Sequence, residues 1–217
     1  MSTVLPELVS KVVLTTILKA LNLDGRLVNP RVYGDKKTRL YVYWTVDGSK
    51  ATGCFDLTCP GFVQTSKEIA LGAAICPISV ANCLPYEITI YIFKDPNTSN
   101  WWMQYGEKIN VGYWPHNLFS LIISGAESVE WEGGEVSDNP LGQSPLQAEM
   151  GNGEYPNPIF GDSGYMKRMR VLDNSRILKF PEWVSTYADK SHQAKLEIPS
   201  DGKRYQRSPI KGLTPSS

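Results

Sequence analysis

Cys54 and Cys59 stand four residues apart in the stretch Thr52-Gly53-Cys54-Phe55-Asp56-Leu57-Thr58-Cys59-Pro60-Gly61-Phe62-Val63-Gln64, and this spacing constrains the fold more than any other feature of the chain. A bridge closing so short a loop stabilises by roughly 2 kcal/mol, through the freedom it removes from the unfolded chain. The stretch therefore predicts a stapled turn between exposed strands. A disulfide needs an oxidising compartment; free buried thiols and a metal site are the alternatives. A structural metal needs four ligands at workable spacing. The other candidates, Cys76, Cys83, His116 and His192, form no C-x-x-C or H-x-x-x-H pair. The expectation is no metal and no cofactor.

A chain of 217 residues predicts one domain with tails, long enough for a sizeable core. Lys plus Arg and Asp plus Glu each number 22. A non-specific polyanion binder should be basic, so no nucleic-acid partner is expected. No apolar run reaches the ~18 residues that span a bilayer. Trp and Tyr supply 17 of the 23 aromatic residues, which suits half-wet surfaces such as a substrate groove. Most of them also fit as ordinary strand residues.

From Val32 to Leu178 the chain reads as strands and turns. Leu40 to Thr45 is β-branched and aromatic and ends at Asp47-Gly48. Ile88, Ile90 and Ile92 alternate with polar neighbours, a period of two. The polar turn Lys94 to Asn100 leads into a strand over Trp101 to Tyr105; Gly106-Glu107 separates it from another over Lys108 to Tyr113. Pro115, Leu118, Leu121, Ile122 and Gly125 predict one helix from Pro115 to about Glu127. Strands return over Ser128 to Trp131 and Tyr165 to Leu172, with a long Gly/Pro/Asn loop over Asp138 to Gly164. Asp47, Asp56, Asp95 and Asp162 mostly adjoin Gly or Pro and read as turn formers. Many short strands predict an all-β fold, an antiparallel sandwich or barrel. The apolar stretch Ser2 to Leu21 is expected to form an atypical N-terminal helical segment, with Thr3 as cap and Pro6 in its first turn. Glu7, Lys11 and Lys19 make it a poor signal peptide. Three parts result: the atypical segment 1–26, a domain over 27–190, and a disordered tail over 191–217.

An ordered series of motifs then carries a resemblance. Tyr33-Gly34-Asp35, Tyr43-Trp44-x-x-Asp47-Gly48, Thr52-Gly53-Cys54 to Gln64, Lys94-Asp95-Pro96 with Trp101-Trp102, Gly112-Tyr113-Trp114-Pro115 with Leu118-Phe119, Gly133-Gly134-Glu135-Val136 and Met150-Gly151-x-Gly153 together resemble the neprosin family. Those are plant proteins whose type member is a secreted, proline-directed glutamic endopeptidase. The resemblance implies a curved sandwich of two antiparallel sheets with a groove across it. It also implies a pair of facing glutamates. Two close carboxyls cannot both ionise, so one activates water while the other stays protonated and polarises the scissile carbonyl.

Carried over residue by residue, the later glutamate of the pair is Glu135, in Trp131-Glu132-Gly133-Gly134-Glu135-Val136. This motif is one residue longer than the family's Trp-Gly-Gly-Glu-Val. An extra residue flips a strand's faces unless a bulge at Gly133-Gly134 absorbs it. The earlier glutamate maps onto Leu23, with Gly25 matching the family glycine and Arg26 replacing its tryptophan. Leucine can neither ionise nor donate a proton, and Asp24 is one step out of register. The expectation is a truncated, mis-spliced or degenerate relative with an impaired dyad. Tyr43 and Trp44 are the groove candidates. The implied partner is a peptide or protein substrate, proline-rich in the family's manner. The alternative is a non-catalytic sandwich that binds extended or proline-rich extracellular polymers. Asn97-Thr98-Ser99 is a glycosylation sequon in a predicted turn, to be used if the chain enters the secretory route that the family implies.

Overall fold

The computed structural model describes residues 11–16, 18–24, 30–35, 37–47, 50–80, 83, 86–120, 122–126, 128–135, 169–172, 175–181 and 210–212. In chain order the elements are β1 (Lys11–Thr16), β2 (Leu18–Asp24), α1 (Pro30–Tyr33), β3 (Tyr43–Trp44), β4 (Cys54–Phe55), β5 (Val63–Gln64), β6 (Ile90–Lys94), β7 (Trp101–Tyr105), β8 (Ile109–Trp114), a 3-10 turn (His116–Leu118), β9 (Ser128–Glu135), β10 (Val171–Leu172), β11 (Leu178–Lys179) and β12 (Ile210–Gly212). The protein is all-β, and its sheets are mostly antiparallel. Among the described residues no helix is long and apolar enough to cross a membrane.

Two compact units emerge. One comprises Ser10–Pro77 and Tyr86–Glu130; the other comprises Met1–Val9, Ile78–Pro85 and Trp131–Ser217. In the first unit β1 and β2 form an antiparallel hairpin, with Lys11 opposite Asp24 and a register irregularity after Leu14. β2 continues onto β3, where Leu21 faces Trp44 and Asn22 faces Tyr43. β3 in turn pairs with β4, Trp44 opposite Cys54. A second antiparallel sheet follows the order β5-β8-β7-β6. In the other unit β10 and β11 pair antiparallel, while β12 runs parallel to β9.

The core of the first unit lies between its two sheets. Strand alternation sends Leu40, Val42 and Trp44 inward from one side. Trp101, Met103, Val111 and Trp114 come from the other, joined by Phe62, Phe119 and Ile122. The large rings meet edge to face, Phe62 against Trp114 at 4.7 Å and Trp44 against Phe119 at 6.3 Å, the geometry their quadrupoles favour. On the opposite face of the second sheet, Val63, Tyr113, Trp102 and Phe93 fall in one register row across all four strands.

Two expected helices are not formed. The described part of Ser2–Leu21 is the β1–β2 hairpin. Val12, Val13, Thr15 and Thr16 are β-branched and suit a pleated strand better than a helix. An apolar pattern that wraps all the way round does not discriminate between the two periods. The helix expected over Pro115–Glu127 shrinks to the 3-10 turn His116–Leu118. Phe119 turns extended at φ −115°, ψ 98° and buries its ring. Ile122, one of the residues that suggest the helix, is buried as well. By contrast, the strand expected over Trp101 to Tyr105 is β7, and that over Lys108 to Tyr113 is β8 moved by one residue. The Asp138–Gly164 loop lies outside the described residues. So does the tail expected over 191–217, apart from the β12 residues.

Close backbone approach explains Gly112. A Cβ there would stand 2.3 Å from the Val63 carbonyl oxygen and 2.6 Å from the Phe62 ring, and the carbonyl belongs to the ladder and cannot swing away. Gly112→Ala is expected to destabilise the protein by about 1–3 kcal/mol, read as a lower denaturation midpoint. A midpoint equal to the native one would show that β5 does not lie against β8 in this way.

Candidate functional site

The two dyad positions fall on strands. Leu23 lies opposite Val12 near the end of β2, and Asp24 closes that strand opposite Lys11. The β2–β3 pairing covers Leu21 and Asn22 and stops before Leu23. Glu135 closes β9 opposite Gly212, and β9 pairs with β12 residue for residue through Gly133 and Gly134, with no bulge in that pairing. The two positions belong to different units. Of the groove candidates, Tyr43 is half-buried and tilted against Phe55 at 4.9 Å. Trp44 is a core ring, only 4% exposed, and its indole Nε1 finds no partner among the described residues.

The stapled turn is present. Cys54 and Cys59 are disulfide-bonded with α-carbons 5.9 Å apart, inside the usual range for a bridge. Within the loop Thr58 donates both its backbone N–H (2.9 Å) and its hydroxyl (2.6 Å) to the Phe55 carbonyl. Cys76 and Cys83 are exposed free thiols. Among the described residues no group of three or more His, Cys, Asp or Glu is placed to hold a metal ion.

Asp47 and Asp95 serve turns, as the sequence suggests. The Asp47 carboxylate accepts the N–H groups of Lys50, Ala51 and Thr52 and the hydroxyls of Thr45 and Thr52. The Thr52 hydroxyl leads in holding it well below the usual carboxylate range. Asp162 lies outside the described residues. Asp56 is different, and the turn-former reading misses its role. It is 6% exposed and has φ 48°, a left-handed conformation that aspartate tolerates better than most residues.

Asp56 joins segments far apart in the chain. Its backbone N–H donates to the Val42 carbonyl at 2.9 Å, and its Oδ1 accepts the Val42 N–H at 2.9 Å. Its Oδ2 accepts the Tyr33 hydroxyl at 2.5 Å. The Arg39 guanidinium lies 4.9 Å from the Tyr33 ring centre. Arg39 forks onto Asp35 at 2.6 and 3.3 Å and donates to the Gly72 carbonyl at 2.6 Å. Gly72, at φ +76°, leaves room beside the carboxyl; a Cβ there would approach Asp56 Oδ2 to 3.2 Å. The motif Tyr33-Gly34-Asp35 thus meets the stapled turn at one buried acid.

The electrostatics follow from burial. Desolvation raises the Asp56 pKa above its ordinary value, against the lowering pull of the Tyr33 hydroxyl, the Val42 N–H and the Arg39 charge. Burial, and then Asp56, push Tyr33 upward as well. Asp35 is lowered, chiefly by its Arg39 hydrogen bond. An unfolded aspartate titrates near about 3.9. The folded state therefore holds the Asp56 proton more tightly, and the associated stability is complete below about pH 4 and lost as pH rises through the raised folded value. An Asp56→Asn variant keeps an acceptor for Val42 and offers a donor to Tyr33. It is expected to melt with the native protein near about pH 3 and above it near about pH 7. Parallel melting curves over that range would refute this account. Tyr33→Phe removes a donor from a buried acceptor and is expected to cost about 1–3 kcal/mol.

A family model described as Neprosin matches residues 20–208. The match takes in Leu23, the buried Asp56 cluster, the stapled turn, the whole second sheet and Glu135, and it continues beyond residue 190, where the sequence reading places the end of the domain. The chain belongs to the neprosin family of glutamic-peptidase-like proteins.

Proposed function

We propose that this protein is a neprosin-type glutamic endopeptidase domain for peptides cut after proline, with one half of its acid pair missing. The reading rests on the motif resemblance that sets Leu23 at the earlier glutamate's position and Glu135 at the later one, both within the span that the family model matches. A lone carboxylate can orient or deprotonate water, but it has no protonated partner to polarise the carbonyl and supply the leaving group's proton. The family and the Cys54–Cys59 disulfide support an extracellular setting. Burial raises the Asp56 pKa above its ordinary value, a direction that suits an acidic one.

Loss of one acid/base partner typically costs a factor of about 10² to 10⁴. The test is cleavage of a proline-containing peptide at about pH 3, near the ordinary carboxyl range, by the native chain, Glu135→Gln and Leu23→Glu, each checked for folding by its melt. The expected order is weak or absent cleavage by the native chain, none by Glu135→Gln, and a gain in Leu23→Glu. Robust native cleavage that disappears in Glu135→Gln would overturn the incomplete dyad and point to Asp24 or Glu132 as the second acid. The same leucine favours a second reading, a sandwich that binds extended or proline-rich extracellular polymers without cutting them. Three folded but inactive proteins that retain such a peptide on a column would support it.

A further inference from the structure

The turn between β6 and β7 contains an asparagine that the fold does not use. Asp95 organises this turn. Its carboxylate accepts the Asn97 and Thr98 N–H groups at 3.2 Å each, together with the Thr98 hydroxyl. Its backbone N–H donates to the Asn100 carbonyl at 2.9 Å, and its carbonyl accepts the Ser99 N–H at 2.7 Å. Asn100 is structural too, its Oδ1 accepting the His116 N–H at 2.9 Å. The Asn97 side chain does none of this. The residue is exposed, its carboxamide bonds to nothing among the described residues, and its φ is not among the positive ones. Neither a side-chain bond nor a left-handed backbone calls for asparagine here. The Ser99 hydroxyl is likewise uncommitted, although the residue sits at φ 61°, where glycine or asparagine is the cheaper choice.

These two spare groups are the ones that N-glycosylation requires: an amide to carry the sugar and a hydroxyl two residues on, with a residue other than proline between them. Asn97-Thr98-Ser99 is the one Asn-x-Ser/Thr triplet in the chain. We infer that Asn97 is an attachment site for an N-linked oligosaccharide. In the transfer, Asn97 Nδ2 bonds to the anomeric carbon of a lipid-diphosphate-linked oligosaccharide. The anomeric C–O bond to phosphate breaks, the lipid diphosphate leaves, and the amide gives up one proton to a base. The product fits the fold, because nothing in the turn has to release Asn97. The sugar stands at the end of β6, the edge strand of its sheet, where a bulky polar group discourages pairing with another chain.

Use of the site rests on entry into the secretory route, so the test imposes that entry. The full chain is translated behind a heterologous cleavable signal into microsomes, where transfer does not depend on peptidase activity. The expected result is a protease-protected product heavier by one glycan, returned to the unmodified mobility by an endoglycosidase. Asn97→Gln and Ser99→Ala are each expected to abolish the shift. A protected chain with no shift would overturn the inference, as would a shift that survives both substitutions.

Discussion

The rings of Trp44, Phe62, Trp114 and Phe119 meet between the two sheets of the larger described unit, and the geometry around them follows from keeping those rings dry. Trp114 is wholly buried and Phe119 nearly so, and each such ring removes a large apolar area from water. Backbone must come very near to fill the space beside them. A Cβ at Gly61 would stand 2.3 Å from the Trp44 ring, so the chain leaving the Cys54–Cys59 loop must be glycine at this point. The staple and the core are thus one construction. The disulfide shortens the path from β4, and the glycine lets that path press on a tryptophan.

The second constraint is polar. Asp56 is buried beside this core, and its hydrogen bonds tie α1, the segment before β3 and the stapled turn to one carboxyl. A buried acid is tolerated when it is hydrogen-bonded, and more readily when it is neutral. Asp47, half-buried and ringed by donors, is stabilised as an anion instead. The two acids therefore respond to pH in opposite directions. Lowering the pH strengthens the Asp56 junction and weakens the Asp47 loop.

Against that scaffold, the chemistry of the family depends on two side chains alone. The fold-forming features rest on other residues: the aromatic strands β7 and β8, the Gly112 approach and the stapled turn. A sandwich held by rings, glycines and a disulfide does not need an acid pair to stay folded. On the proposed reading, leucine at position 23 changes the chemistry of the site and leaves the rings, the glycines and the disulfide as they are. This separation is why fold and activity must be argued from different residues.

The sequence by itself determined the features whose physics is local. The Cys54–Cys59 bridge is the leading reading of its short spacing, with free thiols and a metal site as alternatives, and the disulfide is present. β7 and β8 follow from alternation between two tight turns, and Asp47 and Asp95 follow from the turn chemistry of their neighbours. The ordered motifs, read together, point to the family that the family model matches, and the resemblance nominates Glu135 and Leu23 as the dyad positions. Tertiary structure decided what depends on distant partners. The apolar positions of the β1–β2 stretch would wrap most of the way round a helix, and the tertiary structure pairs the stretch as a hairpin that continues onto β3. Leu118, Leu121, Ile122 and Gly125 recur at helical spacing, yet the 3-10 turn ends at Leu118 and Phe119 is extended. Trp44, a groove candidate on sequence, is buried with its ring edge-on to Phe119. Asp56 resembles a turn former until Tyr33, 23 residues earlier, arrives to share its proton. In each case burial sets the outcome, and burial is a property of the segments that close over a residue rather than of its neighbours in the chain.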